Sequence, residues 1–401
     1  MAISTICEHN ACTGCKACAQ VCTKQCISFQ EDKVGFWYPL IDEKSCIECK
    51  RCQAVCPINN DTEKSSGTFY MGWHKDHDVL MKSSSGGAFS AISSIVFNKG
   101  GIVIGAEINQ SSRDLKHVVI ETEQEMDRLR FSKYYQSDTD GIYGLVKQYI
   151  MSGRLVLFSG TACQVAGLKS YLGAFSKSDL LLTVDVLCHG VASKKAVIKY
   201  INSKERNGSV VKAINFRIKD PKLGWKNGGG TNVNIRYEDG TRTIEDRLID
   251  PFFVGFNHDQ ILRESCYQCH FTGNERVSDF TLADYWGVDE NEVGRDALRE
   301  GVSAIEVNTE KAKRLLPMLS EIMVIREANK NHITANNRSF IQPAPRPIER
   351  SIYYKQFELC DFDTLIMSLN KNYYRKVKSK RLIQKMIGEK AFIKLKKWIK
   401  K

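Results

Sequence analysis

Two copies of one cysteine spacing constrain this chain more than any other feature: Cys12-x2-Cys15-x2-Cys18-x3-Cys22, then Cys46-x2-Cys49-x2-Cys52-x3-Cys56-Pro57. Three thiolates at intervals of three residues can wrap one face of an iron–sulfur cubane. The fourth, at the start of a helical turn, reaches across to a neighbouring cluster. The spacing predicts that Cys12, Cys15, Cys18 and Cys56 hold one 4Fe–4S cluster, and Cys46, Cys49, Cys52 and Cys22 a second. Two zinc ions would need as many thiolates, but neither the doubled run nor its trailing proline. Thr23 stands where the first run would carry its own proline. Residues 27–42 are apolar enough for a small hairpin covering the clusters. Cys7 and Cys26 fall outside the pattern and read as buried free thiols.

Ten of the fifteen cysteines lie in the first 56 residues. The opening MAISTICEHNACTGC has no basic stretch followed by an apolar one, so no secretory signal is read and the cytoplasm is expected. Thiols stay reduced there, and clustered cysteines favour metal or catalytic roles over disulfides. No apolar run reaches 18 residues, so no transmembrane helix is expected. The net charge of +12 is lopsided: residues 371–401 hold thirteen Lys/Arg and one acid, Glu389, while the remainder holds 45 of each sign. A basic tail on a neutral body is not the footprint of a nucleic-acid-binding face.

A chain of 401 residues implies two or three units. Residues 1–60 form the cysteine-rich module, and Asp61 to Thr68 reads as a polar linker. From 69 to about 330, apolar β-rich runs (101–108, 155–159, 180–187, 211–218, 302–307) alternate with helical periodicity (88–98, 142–151, 163–172, 194–205). This pattern predicts an α/β fold: a small α+β module, then a mixed α/β domain with partly parallel strands. Glu238-Asp239-Gly240 between 232–237 and 241–245 signals a hairpin. Pro343, Pro345 and Pro347 precede a helical C-terminus. In 371–401, Ile383, Ile387, Ala391, Leu395 and Trp398, flanked by Leu382, Met386 and Ile399, line one face of a basic helix. Such a helix suits an anionic membrane surface, where each basic residue contributes about 1 kcal/mol, or it packs on the domain or a partner.

Two junctions in the second unit carry chemistry. Ser83-Ser84-Ser85-Gly86-Gly87 opens onto a helix, as a phosphate cradle or simply as a cap and turn. Gly160-Thr161-Ala162-Cys163-Gln164 follows a strand and sets a cysteine at a helix start, a place that favours the thiolate. Further on come Leu187-Cys188-His189-Gly190, Cys266-x2-Cys269-His270 and Arg276-Val277-Ser278-Asp279-Phe280-Thr281-Leu282-Ala283-Asp284-Tyr285-Trp286-Gly287. By spacing alone, Cys163, Cys188, Cys266 and Cys269 suit an all-cysteine zinc site as well as a cluster. Arg276, Asp279 and Asp284 suit either a cofactor or a buried ion-pair network.

Together with Ser132-Lys133-Tyr134-Tyr135-Gln136-Ser137, these motifs resemble the coenzyme F-420 hydrogenase/dehydrogenase beta-subunit family, many members of which carry a two-cluster ferredoxin module in front. The resemblance covers residues 1 to about 330, with Ala162 for a usual proline and Ala283 for a usual glycine. It implies FAD held by Ser84, Ser85, Gly86, Gly87, Lys133, Tyr134, Gln136, Gly160 and Thr161. It also implies a third 4Fe–4S cluster on Cys163, Cys188, Cys266 and Cys269. The expected function is a flavin- and iron–sulfur-dependent oxidoreductase, resting in the cytoplasm or on the inner membrane face. Its partners would be a redox protein or soluble electron donor and a hydride carrier of deazaflavin type or an organic substrate. No catalytic residue is singled out. The alternative is a non-catalytic subunit that relays electrons between partners.

Overall fold

Val156, Leu157 and Phe158 are fully buried, as in a strand covered on both faces, and around such runs the chain builds its main sheet. The structure, a computed structural model, describes residues 5–205, 208–219, 225 and 232–388. Among these residues the elements fall into three sheets. The first is the hairpin β1 (Ile27–Glu31) and β2 (Trp37–Ile41), antiparallel from Ile27↔Ile41 to Glu31↔Trp37. The main sheet holds β3 (Thr68–His74), β4 (Ile102–Ile108), β5 (Leu115–Ile120), β6 (Val156–Thr161) and β7 (Leu181–Val186). The third is β8 (Val211–Ile218), β9 (Asn232–Tyr237) and β10 (Arg242–Glu245), antiparallel in the order β10-β9-β8. The main sheet is completed by β11 (Phe280–Asp284), β12 (Ser303–Val307) and β13 (Met323–Glu327) and runs β13-β3-β12-β11-β7-β6-β4-β5.

Its centre, β4-β6-β7-β11, is parallel, and both flanks are antiparallel. The α/β expectation is met. Helices Ala88–Asn98 and Ile142–Met151 have the expected bounds. Strand β6 extends past residue 159 to Thr161 because its pairing with β7 continues to Thr161↔Val186, so the next helix starts at Ala162. In a parallel sheet, ligands bind beyond the carboxyl ends of the strands. Those ends are Ala106 to Ile108, Gly160-Thr161, Val186 to Cys188 and Ala283-Asp284.

Strand β11 was not legible in the sequence because Thr281 and Asp284 interrupt its apolar pattern. Thr281 is accommodated by a buried polar network. Arg276 pairs through Nη2 with Asp185, and Ser278 Oγ donates to Asp185 Oδ1 at 2.9 Å. Asp279 Oδ2 accepts from Thr183 N at 2.8 Å and Thr183 Oγ1 at 2.7 Å. Arg276 Nε donates to Thr281 Oγ1 at 3.2 Å. Arg276 and Asp279 thus tie β7 to β11. Asp284 instead pairs with Arg217 at 2.7 Å.

After Pro347 the chain continues as helices Ile348–Gln356, Phe362–Leu369 and Lys371–Ile387. The last has no buried residue, although Tyr373 Oη donates to Leu248 O at 2.9 Å and Arg381 pairs with Asp246. Leu382 and Met386 are 61% and 76% exposed. Ala391, Leu395, Trp398 and Ile399 of the expected apolar face lie outside the described residues. Among the described residues, no helix is long and apolar enough to cross a membrane.

Removing one partner of a buried ion pair strands the other's charge, at a cost of about 3–5 kcal/mol. Arg276→Met is therefore expected to lower the urea midpoint sharply. Arg276→Met with Asp185→Leu should recover part of the loss. Equal midpoints for Arg276→Met and wild type would show that the pair is not what fastens β7 to β11.

Candidate iron–sulfur and cofactor site

Each cysteine run carries its third cysteine on a short helix, Ala17–Gln20 in the first and Arg51–Ala54 in the second, preceded by Lys16 and Lys50 in left-handed backbone. These turns fold the runs round two hollows. Cys12, Cys15, Cys18 and Cys56 surround one; Cys22, Cys46, Cys49 and Cys52 surround the other. Each hollow also has a fifth cysteine: Cys7 joins the first, and Cys26 joins the second with its Sγ 3.4 Å from Cys22 Sγ. Hydrogen bonding by the Cys7 thiol holds Cys12 down at about 6 and Cys56 at about 7, and pushes Cys7 itself up. Cys7 and Cys26 are therefore not distant core thiols; the crossing of the chain places them beside the ligand sets. Among the described residues, no three His, Cys, Asp or Glu side chains close round a single-ion point. A cubane gives each thiolate its own iron, so its four sulfurs stand apart around a hollow.

The first hollow faces the body of the protein. Thr139 Oγ1 donates to Cys15 O at 2.9 Å, Gln20 Nε2 donates to Thr139 O at 3.0 Å, and Lys16 pairs with Asp138 at 2.7 Å. Helix Ala162–Leu172 approaches so closely at Gly167 that a Cβ there would stand 2.9 Å from Cys15 Sγ. Gly14, at φ +69°, likewise leaves room for Gln136 Nε2.

That same helix begins with a capping box, Thr161 N donating to Gln164 Oε1 at 3.0 Å. Gln164 Nε2 donates to Ser137 Oγ at 2.9 Å, joining the Gly160–Gln164 and Ser132–Ser137 motifs. Cys163 lies in its first turn and Cys188 just past β7, both on the wall of a large cavity. Burial, and then the charge of neighbouring cysteines, push Cys163 up to about 11 and Cys266 up to about 12 and raise Cys188, while burial raises Cys269. Cys163, Cys188 and Cys266 each feel the charge of Cys269, so all three lie within electrostatic range of it. Thiols crowded this way stay protonated until a cation makes thiolates favourable, and metal binding would release their protons.

The cavity has a volume of about 520 Å³, within the range of cofactor sites. Its wall includes Ser84, Ser85, Gly87, Lys133, Tyr134, Gln136, Gly160 and Thr161. Gly86 is the exception among the nine expected residues. Its N–H donates to Ser303 Oγ at 2.9 Å, and a Cβ there would meet Gly72 O at 2.1 Å, so its role is close packing on β3 and β12. Gln136 also has other work: its Nε2 donates to Thr13 O at 3.1 Å and its Oε1 accepts from Arg263 Nη1 at 2.9 Å. Lys133 is no solvated lysine. Its Nζ donates to Leu129 O and Arg130 O, both at 2.7 Å, and burial pulls its pKa to about 7. Tyr134 packs edge-on against Phe253 and Phe256, with centroids 5.0 Å from each.

Sequence reasoning missed His117 and Arg263. His117 lines the cavity and donates from Nε2 to Ser159 O at 3.0 Å, which leaves Nδ1 an acceptor with no partner. Burial holds it neutral, at about 4. A lone histidine in a β-strand carries no sequence signal for such a place. His189 Nε2 stands 2.6 Å from Asp259 Oδ1 but is not aligned for a hydrogen bond.

Comparison with known proteins matches both units of the chain to families. Residues 153–331 match the family described as the C terminus of the coenzyme F420 hydrogenase/dehydrogenase beta subunit, and residues 11–60 match the 4Fe-4S dicluster domain. An uncharacterized ferredoxin of Methanocaldococcus jannaschii is 36% identical over 59 residues, 15% of this chain and 75% of that protein. Among solved structures, a chain of the F420-reducing NiFe hydrogenase complex from Methanosarcina barkeri is 15% identical. The match covers 81% of this chain and 95% of that one, with a TM-score of 0.46.

Gly167→Leu should force Cys15 from its place. The expected outcome is loss of the iron of the first hollow, read as lower iron per chain and a lost cluster signal. The second hollow should keep its cluster. Full iron in this variant would mean that the two elements do not meet as closely as the structure shows.

Proposed function

We propose that this chain, whose residues 153–331 match the C terminus of the coenzyme F420 hydrogenase/dehydrogenase beta subunit and whose residues 11–60 match a 4Fe-4S dicluster domain, is a flavin-dependent iron–sulfur oxidoreductase of that family. In this reading Cys12, Cys15, Cys18 and Cys56 hold one cluster and Cys46, Cys49, Cys52 and Cys22 the second. Cys163, Cys188, Cys266 and Cys269 hold the third, and the cavity holds FAD. One observation carries the proposal: helix Ala162–Leu172 touches Cys15 through Gly167 and sets Cys163 in the cavity wall. A single element thus joins the dicluster module to the cofactor cavity.

The cavity residues fit such a cofactor. Helix Ala88–Asn98 begins at Gly87 without a side-chain cap, leaving first-turn amides for a phosphate. Lys133 adds an amine anchored on two carbonyls, whose protonated form a bound phosphate would favour, and His117 Nδ1 offers an acceptor to a ring N–H. A bound flavin would exchange single electrons with clusters and hydride with a two-electron carrier, of deazaflavin type or an organic substrate. The protein's part is to bind, orient and exclude water, and it does so with groups already fixed by hydrogen bonds. A redox protein or soluble donor would supply or accept electrons at the exposed second run, where Cys49 lies at the surface.

The exposed Leu382, Ile383, Met386 and Ile387 beside so many lysines favour an anionic membrane surface, the inner face of the cytoplasmic membrane, as resting place for the tail.

Full-length protein purified without oxygen should carry about twelve irons, four in each of three cubanes, and one flavin. Cys163→Ser should remove a third of the iron and loosen the flavin. Zinc in place of iron at Cys163 would refute the third cluster, and three clusters without flavin would make the chain an electron relay.

The tail gives a separate expectation. The full chain should bind anionic vesicles at low salt and release them as salt rises, because exposed charges are screened over about 8–10 Å near physiological ionic strength. A chain ending at Ser379, which keeps the Tyr373 anchor, should not bind. Binding that survives this truncation would rule out the membrane reading of the tail.

A further inference from the structure

Arg263 is 1% exposed, and among the described residues no carboxylate lies in ion-pair range of its guanidinium. Neighbouring Glu264 turns instead to Arg346 and Arg350. The donors of Arg263 are well satisfied: Nε by Cys12 O at 2.8 Å, Nη1 by Gln136 Oε1 at 2.9 Å, and Nη2 by Trp37 O at 2.7 Å. The Tyr38 ring stacks 4.3 Å from it. These partners are all neutral. They answer the hydrogen-bonding requirement and leave the charge, which is costly to bury without an anion.

The counter-anions at hand are the cysteine sulfurs beside it, and clusters on those cysteines would supply full negative charge. On one side Arg263 grips the backbone of Cys12. On the other its carbonyl accepts from Cys266 N at 3.0 Å. None of the residues Arg263 bonds to lines the second hollow. A cubane on four thiolates is a net anion, and reduction makes it more negative.

Resting on the cluster assignment above, we propose that Arg263 is the shared counter-cation of two clusters, one on Cys12, Cys15, Cys18 and Cys56 and the other on Cys163, Cys188, Cys266 and Cys269. It is a positioning residue. By stabilising the reduced state of both, it holds both potentials up together, and its fork fixes the dicluster module against the cavity through Gln136. The cluster of the second hollow lies outside its influence.

The test uses the full chain, purified without oxygen, as wild type, Arg263→Gln and Arg263→Lys. Iron per chain is measured first, then each cluster is titrated by electron paramagnetic resonance against potential. The second-hollow signal, identified by its loss in Cys46→Ser, is the internal reference. Arg263→Gln should keep its iron while the other two clusters shift to lower potential and the reference stays in place. Arg263→Lys, which keeps the charge, should leave all three at wild-type values. Unmoved potentials in Arg263→Gln, or an equal shift of all three, would overturn the proposal. If Arg263→Gln fails to hold iron, Arg263→Lys decides: wild-type potentials support the charge role, and lowered potentials contradict it. Wild-type protein with no iron at Cys163 is a failure of the cluster assignment instead, and the iron count reveals it before any titration.

Discussion

The contact between Cys15 and Gly167 is the constraint on which the rest of the molecule depends. At 2.9 Å from a would-be Cβ to the sulfur, only a residue without a side chain fits there. The contact is held by bonds that would otherwise be missing in a buried seam: Thr139 to Cys15 O, Gln20 to Thr139 O, and the Lys16–Asp138 pair. Burying these groups unpaired would be expensive, so the module cannot drift on its linker without losing several bonds together. Because Gly167 and Cys163 lie on one helix, one turn apart, fixing one fixes the other. The junction therefore sets where the dicluster module stands relative to the cavity.

The main sheet supplies the other half of the arrangement. Its parallel centre brings Gly160-Thr161, Cys188 and Asp284 to one edge from strands far apart in sequence. The antiparallel flanks carry β3 and β12, against which Gly86 packs. The serine loop before helix Ala88–Asn98 is thereby held at the cavity rim. Ser84 Oγ accepts from Ser132 N at 2.9 Å, and Gln164 ties Ser137 to the capping box. Three motifs scattered over eighty residues become one wall through three side-chain bonds.

Much of this was legible in the sequence. The cysteine spacing indicated two crossed ligand sets, and the structure gathers those cysteines round two hollows. The apolar alternation located β8, β9 and the helices at 88–98 and 142–151 to the residue. What the sequence could not show depends on distant pairing. Arg263 carries no motif; its place between Cys12 and Gln136 exists only once chain segments over a hundred residues apart meet. Cys7 and Cys26 looked incidental because their neighbours in space are set by the crossing of the two runs. Gln136 and Gly86 carried a motif signal, but one that did not distinguish a ligand contact from a junction or a packing position. Strand β11 was hidden by Thr281, whose polarity is answered by Arg276 and Asn308.

In the proposed function, electrons pass between the dicluster module and the cavity by way of the cysteines at its wall. Rapid mixing of the oxidised protein with a reduced ferredoxin, too large to enter the cavity, tests it most directly. Cluster and flavin absorbance would be followed together, in wild type and in Cys188→Ser preparations matched for bound flavin. The account predicts that wild-type flavin bleaches after the clusters. In Cys188→Ser the first cluster phase should keep its rate while flavin reduction slows. Flavin bleaching at the wild-type rate in Cys188→Ser would contradict it.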